Sequence, residues 1–245
     1  MGIGRAAGWT EQALRPPRRL ARLLPNHCAV CRSPTRGTLG RLCEDCVTRF
    51  AAERPRCRRC ALPLPAGPSL CGGCLRSPPP WSAAITVSDY GYPWAGLLAA
   101  QKFDAALDLA PALAALLAAR VDASAVDALV PVPLAARRLR ERGYNQAARL
   151  AAALARRIER PLRDDWLLRL TDTAPQLGLP RGQRLANLRG AFAAEPLALH
   201  ALRGRRIALV DDVMTTGATL AESARTLLAA GAAEVQAWVV ARTPD

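Results

Sequence analysis

Ile207-Ala-Leu-Val-Asp-Asp-Val-Met-Thr-Thr-Gly-Ala-Thr-Leu220 is the stretch on which the reading of this chain turns. Ile207 to Val210 form an apolar run long enough for a buried strand. Two adjacent carboxylates, Asp211 and Asp212, stand at its end, followed by Val213 and Met214. Thr215-Thr216-Gly217-Ala218-Thr219 then turns the chain into a helix expected to run to about Ala230, with Gly231 as its stop. Such a turn leaves backbone N–H groups free at a helix N-terminus, and the hydroxyls of Thr215, Thr216 and Thr219 converge on the same spot. That spot suits a dianionic phosphate. Asp211 and Asp212 are placed to accept hydrogen bonds from the hydroxyls of a sugar bearing that phosphate. Asp-Asp alone reads as a solvated strand end and Thr-Gly alone as a common turn; both together after an apolar strand are much less often accidental.

Further strand-like runs occur at Ala84–Val87, Ala128–Val132 and Val235–Val240, separated by Ala/Leu segments of helical period. This β–α alternation implies an α/β fold: a parallel sheet covered by helices on both faces, with ligands at the carboxyl ends of the strands. The composition changes after Pro78–Pro80, so the α/β domain is expected over 81–245, a smaller module over 25–80 and a lead-in segment over 1–24. A chain of 245 residues, 51% of them apolar, can bury a core of this size. No apolar run reaches the roughly 18 residues of a spanning helix, which rules out membrane insertion by that route. The first residues lack a continuous apolar segment and a cleavage pattern, so a cytoplasmic location is expected.

Every cysteine lies in the smaller module, as four Cys-x-x-Cys pairs: Cys28/Cys31, Cys43/Cys46, Cys57/Cys60 and Cys71/Cys74. Two thiolates three positions apart wrap half of a tetrahedral S₄ set around Zn²⁺, and two such knuckles complete it. Near-equal intervals favour two tandem ribbons, 28–46 and 57–74, with interleaved pairing of knuckles as the alternative. A disulfide framework is the competing reading; a reducing compartment opposes it. The residues between the knuckles are rich in Pro, Gly and Arg and carry few large apolar side chains, so metal must stand in for a core. Two structural zinc ions are therefore expected, with His27 a bystander.

The formal charge is +14, almost entirely arginine, and fourteen Arg face four acidic residues up to position 80. Two tetrathiolate zinc sites would lower the total to about +10, still enough to attract phosphates. Arg54, Arg56, Arg58 and Arg59 surround the third knuckle and face either nucleic acid backbone or solvent; Phe50 and Trp81 offer little stacking platform.

Strand-Asp-Asp-x-x-Thr-Thr-Gly-x-Thr resembles the motif by which type I phosphoribosyltransferases bind 5-phosphoribosyl-1-pyrophosphate. The resemblance implies that Asp211 and Asp212 hold the ribose 2′ and 3′ hydroxyls, that the 5′-phosphate lies in the loop from Val213 and Met214 through Thr215, Thr216, Gly217, Ala218 and Thr219, and that Mg²⁺ bridges pyrophosphate and ribose oxygens. Asp127-Ala-Leu-Val-Pro-Val-Pro, Arg142-Gly-Tyr-Asn-Gln146, Gln183-Arg-Leu-Ala-Asn187 and Gly190-Ala-Phe192, with the preceding cysteine pairs, extend the likeness over about residues 20–242. Together they resemble the ComF family, which includes ComFC and GntX proteins.

In phosphoribosyltransferases a loop after an early strand meets the pyrophosphate, and a hood closes over the substrate. Pro131, Val132 and Pro133 occupy the first position. Arg137, Arg138 and Arg142 follow, with guanidinium forks suited to phosphate oxygens; the alternative is a helix displaying surface arginines. Asn145 and Gln146 are further candidates. The segment 171–189, with Gln183 and Arg184, is either the hood or a connection. Lys102, the sole lysine, is either a phosphate contact or a snorkelling surface residue.

The resemblance implies displacement at ribose C1 with loss of pyrophosphate, with Asp211, Asp212 and Arg142 at the reacting centre, and a role in DNA uptake or utilisation during natural transformation. The competing reading is a non-catalytic protein that keeps the ligand site while its zinc module holds single-stranded DNA or docks a DNA-processing protein. No stretch identifies the acceptor.

Overall fold

A computed structural model describes residues 26–35, 39–171 and 190–244. The cysteine-bearing part holds an antiparallel pair, β1 (Asn26–His27) and β2 (Pro34–Thr35), and two short helices, α1 (Glu44–Phe50) and α2 (Gly72–Arg76). Both helices start on a cysteine. Cys43 and Cys71 take the N-cap positions, their sulfurs accepting from the N–H groups of Cys46 and Cys74. One sulfur thus satisfies an orphan helix donor while facing its partner cysteines. The lead-in segment expected over 1–24 lies outside the described residues.

The larger part follows as β3 (Ala83–Asp89), α3 (Trp94–Phe103), α4 (Ala110–Ala118), β4 (Ala128–Pro131), α5 (Ala136–Arg142), α6 (Gln146–Ile158), β5 (Leu167–Arg169), β6 (Phe192–Ala194), α7 (Leu199–Leu202), β7 (Arg206–Met214), α8 (Ala218–Ala229) and β8 (Glu234–Arg242). Four strands form a parallel sheet in the order β3-β8-β7-β4. At the β4 edge, Leu129 accepts from Arg163 N–H and donates to Pro161 O, both at 2.8 Å.

β7 shows why the sheet needs helices on both faces. Its alternation sends Ile207 and Leu209 into one core, with Leu220, Ala224 and Leu227 of α8, and Ala208 and Val210 into the other, with Leu113 and Leu117 of α4 and Leu150 and Leu154 of α6. All four strand residues are fully buried, which explains the uninterrupted apolar run. Burying each large side chain is worth about 1.5–3 kcal/mol. Helix α6 presents Ala147, Leu150, Ala151, Leu154 and Ala155 as one buried stripe, while Arg156 and Arg157 occupy its last turn.

All four anticipated strands form, and α8 ends at Ala229 with Gly231 at φ +104°. Two differences matter. β7 continues through both aspartates to Met214, because β8 keeps pairing alongside it, Asp211 against Val239 and Met214 against Arg242. The antiparallel pair β5 and β6, three residues each, had no visible period in the sequence. Among the described residues, no helix is long and apolar enough to cross a membrane.

Candidate functional site

The site begins where one strand outruns its neighbour. Pairing of β4 with β7 ends at Pro131 and Val210, with Val132 N–H donating to Val210 O at 2.9 Å. β7 runs four residues further beside β8 alone. This leaves a notch at the carboxyl end of the sheet, where ligands of open α/β folds bind, and Asp211 and Asp212 lie in it. Asp212 is 3% exposed; its Oδ1 accepts from Val213 N–H at 3.0 Å and its Oδ2 lies 2.7 Å from Lys102 Nζ. Lys102, at the end of α3, thus neutralises a buried carboxylate. Asp211 is half-buried and accepts from Asp212 N–H at 2.8 Å. Desolvation, then the adjacent Asp212 charge, raise Asp211 well above the usual carboxylate range, against the opposing pull of Lys102.

The loop after β7 has the form expected of an anion cradle. Gly217 stands at the N-cap of the twelve-residue α8 with φ +76°, a left-handed conformation that favours glycine. A Cβ there would come within 3.1 Å of the Trp81 ring. Thr215 is exposed, Thr216 and Thr219 are half-buried, and Thr216 Oγ1 accepts from Ala218 N–H. Val213 and Met214, expected in the loop, belong to the strand: Met214 is 2% exposed and its carbonyl accepts from Thr243 N–H.

A cavity of about 610 Å³ is bordered by Lys102, Arg137, Arg138, Arg142 and Gln146 with Glu141 as a counter-charge. Cations nominated from separate stretches thus share one wall. Arg142 donates to Gln146 Oε1 at 2.6 Å and lies over the exposed Phe103 ring at 5.5 Å. Exposed Arg137 pairs with Glu141 at 2.9 Å. Asn145 is placed differently: its Oδ1 caps α6 at Ala147 N–H and its Nδ2 donates to Val132 O, both at 3.0 Å. It ties the Pro131-Val132-Pro133 segment to α6, with both ends of its amide engaged. Gln183, Arg184 and most of the 171–189 segment lie outside the described residues.

The cysteines assemble in tandem, Cys28, Cys31, Cys43 and Cys46 in one cluster and Cys57, Cys60, Cys71 and Cys74 in another, with sulfurs in each within 4.8 Å of one another. Burial opposes ionisation of Cys57, yet the N–H groups of Cys71, Cys60 and Arg59 hold its thiol at about 7. Burial and neighbouring sulfurs push Cys60 up to about 11 and raise Cys74 as well. Four sulfurs this close fit one tetrahedral dication, which deprotonates coordinating thiols outright. The four arginines beside the third knuckle are largely engaged within the chain. Arg54 and Arg56 pair with Asp89, Arg56 also donates to Ala61 O, and Arg59 donates to Trp81 O.

Comparison with known proteins agrees with both parts. Residues 19–75 match the double zinc ribbon domain family, and residues 144–245 match the phosphoribosyl transferase domain family. The DNA utilization protein YhgH of Escherichia coli K12 is 36% identical over 227 residues, covering 90% of this chain and 98% of that protein. Competence protein F of Haemophilus influenzae is 34% identical over 222 residues, covering 88% and 96%. The chain belongs to the ComF family. Competence protein ComFC of Bacillus subtilis is 38% identical over 116 residues, 47% of this chain and 44% of that one. Among solved structures, the B. subtilis glutamine phosphoribosylpyrophosphate amidotransferase complexed with ADP and GMP aligns with a TM-score of 0.37 and 21% identity, over 53% of this chain and 25% of that one.

Within this ComF-family chain, two residues at the site escaped the sequence reading. Trp81 is 3% exposed and packs on Gly217, so it offers no stacking surface. Arg242, 4% exposed, ends β8 and donates to the carbonyls of Met214, at 3.4 Å, and Thr215. The available signal was a lone arginine closing the apolar run Val239-Val240-Ala241, a position that the parallel sheet sets beside the end of β7.

Proposed function

We propose that this protein binds 5-phosphoribosyl-1-pyrophosphate with Mg²⁺ and transfers its phosphoribosyl group, in the cytoplasm, in a pathway of DNA uptake or utilisation. One observation carries the reading: the paired aspartates lie beyond the end of β4 and just ahead of the helix-capping loop of α8, and Asp212 pairs with Lys102, which borders a cavity with three arginines. The names of the relatives YhgH and Competence protein F support the biological setting.

The loop 215–219 would receive the 5′-phosphate through backbone N–H groups and threonine hydroxyls. Asp211 and Asp212 would orient the ribose hydroxyls, Asp212 exchanging its Lys102 partner as the sugar enters. Mg²⁺ fits a pair of adjacent carboxylates, one of them raised by burial and by its neighbour's charge, and when bound would supply charge neutralisation to the pyrophosphate. Lys102, Arg137, Arg138 and Arg142 would stabilise that leaving group as the bond to C1 lengthens, a developing charge that fixed cations favour. Neither a covalent nucleophile nor a cysteine is needed, since the eight thiols form the two clusters.

Calorimetric titration of the sugar diphosphate with Mg²⁺ into wild type and into Asp211→Asn/Asp212→Asn tests the site. Loss of about 2–3 kcal/mol, roughly 30- to 150-fold in Kd, is expected; equal affinities remove the assignment. Pyrophosphate release measured against bases, amines and single-stranded DNA then tests transfer. Tight binding with no release across that set would leave a ligand-sensing protein.

A further inference from the structure

The two zinc ribbons differ in what their backbones hold. In the second, the turn between Cys57 and Cys60 offers three carbonyls to the α/β domain. Arg58 O accepts from Ala84 N–H at 2.8 Å, tying the ribbon to β3. Arg59 O accepts from Trp81 Nε1 at 2.5 Å, and Arg59 Nη1 donates back to Trp81 O at 2.6 Å. Cys60 O accepts from Arg242 Nε at 3.0 Å. Two of these three acceptors therefore hold side chains that reach the phosphate loop. The Trp81 ring lies against Gly217 so closely that a single added carbon would stand 3.1 Å away. Arg242 Nη1 donates to the carbonyls of Met214 and Thr215, and to that of Thr243. Both side chains are more than nine-tenths buried, so neither has solvent as an alternative partner.

A turn that wraps a metal has its backbone fixed by the sulfur ligands on either side of it. Remove the ion, and a segment this poor in apolar side chains keeps only hydrogen bonds and the Arg54 and Arg56 pairs with Asp89 to hold Arg59 O and Cys60 O in place. Trp81 and Arg242 would then lose their anchors together, and the loop would lose the two groups that set its carbonyls and its left-handed glycine. Anion recognition at a helix N-terminus depends on N–H groups already pointing at the ligand, so loosening the loop lowers affinity without removing any contact residue.

We infer that the second ribbon is a working wall of the phosphate site: through Arg242 and Trp81, zinc at Cys57, Cys60, Cys71 and Cys74 holds the 214–219 loop in its anion-receiving form, whereas zinc at Cys28, Cys31, Cys43 and Cys46 does not. Arg242 and Trp81 are positioning residues. The role in ligand affinity rests on the phosphoribosyl reading above; the mechanical coupling does not. Coupling of this kind is reciprocal, so ligand must in turn protect the second zinc.

The test uses the full-length, zinc-loaded protein with Arg242→Gln, Arg242→Lys, the second-ribbon variant Cys71→Ser/Cys74→Ser, and two first-ribbon variants, Cys31→Ser/Cys43→Ser within that ribbon and Trp94→Phe in α3 against it. Hydrogen exchange of the 213–221 segment is measured without ligand, with α4 as internal reference. Exchange there should rise at least about tenfold in Arg242→Gln and in the second-ribbon variant and stay at the wild-type level in both first-ribbon variants. Affinity for 5-phosphoribosyl-1-pyrophosphate with Mg²⁺ should fall about tenfold or more in the same two, with Arg242→Lys between them and wild type. In wild type, saturating ligand should slow zinc loss to a chelating dye in one of two phases only. Arg242→Gln keeps all eight cysteines, so it decides the matter even where the cysteine variants fail to fold. Unchanged loop exchange in Arg242→Gln, or equal effects of the two ribbons, overturns the inference. If wild type does not bind the sugar diphosphate at all, the phosphoribosyl reading fails, and loop exchange alone still judges the coupling.

Discussion

The two ribbons share a cysteine spacing and a local geometry yet are seated on opposite sides of the domain. The first contributes Leu42 and Ala51 to the core formed with α3, α4 and α6. Trp94 Nε1 donates to Phe50 O at 2.8 Å, Arg120 donates to Ala51 O, and Arg41 pairs with Asp108. Its contacts thus end on the first turn of α3, on Asp108 and just past α4, whereas Lys102, which meets Asp212, stands at the opposite end of α3. The second reaches β3, the end of β8 and the loop before α8. A metal-stapled fragment too small to own a core takes its role from whatever it is stapled against. Here one copy covers a hydrophobic face and the other borders the loop before α8.

Stripping both ions should produce the largest effect, because structural zinc supplies about 10–16 kcal/mol of folding free energy in isolated zinc modules. Both ribbons should lose exchange protection over residues 26–77, and the zinc should leave in two phases. The first ribbon should empty first, since Cys31 is exposed whereas every cysteine of the second is half-buried or buried. Zinc release followed in Cys31→Ser and Cys60→Ser assigns the phases. A single phase in wild type would make the two sites equivalent after all.

Glycine substitutions compare the ribbons more gently. Gly217, at φ +76°, has the Trp81 ring in the way of a side chain, whereas a Cβ on Gly40, at φ +59° in the first ribbon, would meet nothing within 4 Å among the described residues. Ala at either position bears the left-handed cost of about 1–2 kcal/mol. Only Gly217→Ala should add a steric cost, because both the ring and the loop are fixed, and it should also weaken sugar-diphosphate binding by about tenfold. Gly40→Ala should leave affinity unchanged. Denaturant midpoints and calorimetry on the two variants check both halves.

How much of this was legible follows from the range of the interactions concerned. The β–α alternation, the loop 215–219 and the stop at Gly231 are properties of contiguous residues, and the sequence carried them. The Cys-x-x-Cys knuckles are equally local, but tandem against interleaved pairing depends on how the knuckles fold together, and only the structure separates them. The Lys102–Asp212 pair joins residues more than a hundred positions apart, and the Arg242–Cys60 contact joins residues still more distant. No period or motif encodes such contacts. Asn145 illustrates the opposite case: its capping chemistry was readable before α6, and both ends of its amide are engaged there. The arginines near the third knuckle followed the same pattern, since Asp89 and the Trp81 carbonyl engage most of them.

A smaller effect measures how firmly the first ribbon is seated. Trp94→Phe keeps the buried ring and deletes the donor to Phe50 O, leaving that carbonyl short of a partner. The expected loss is about 1 kcal/mol in global stability, with sugar-diphosphate affinity within twofold of wild type. A drop in affinity comparable to that of Gly217→Ala would connect the first ribbon to the loop and erase the distinction between the two modules.

The smallest effect belongs to a residue outside both ribbons and separates stability from binding. Asp211 has its pKa raised in the folded chain by burial, then by the Asp212 charge. A raised carboxyl pKa means that the fold prefers the protonated form. Its contribution to stability is therefore full below the unfolded value of about 4 and is lost as pH rises through the elevated folded value. Asp211→Asn, which is neutral throughout, should relieve that loss: its melting temperature should exceed wild type by about 2–4 °C at neutral pH, as about 1 kcal/mol does in a chain of this size, and match wild type near pH 4. Binding should run the other way. If the ionised carboxylate orients ribose hydroxyls beside Mg²⁺, wild-type affinity should fall as pH drops through the raised value, and the Asn variant should show a weak affinity that is flat over the same range. A variant both more stable and unimpaired in binding would place Asp211 outside the ligand site while leaving the crowding of the two carboxylates intact.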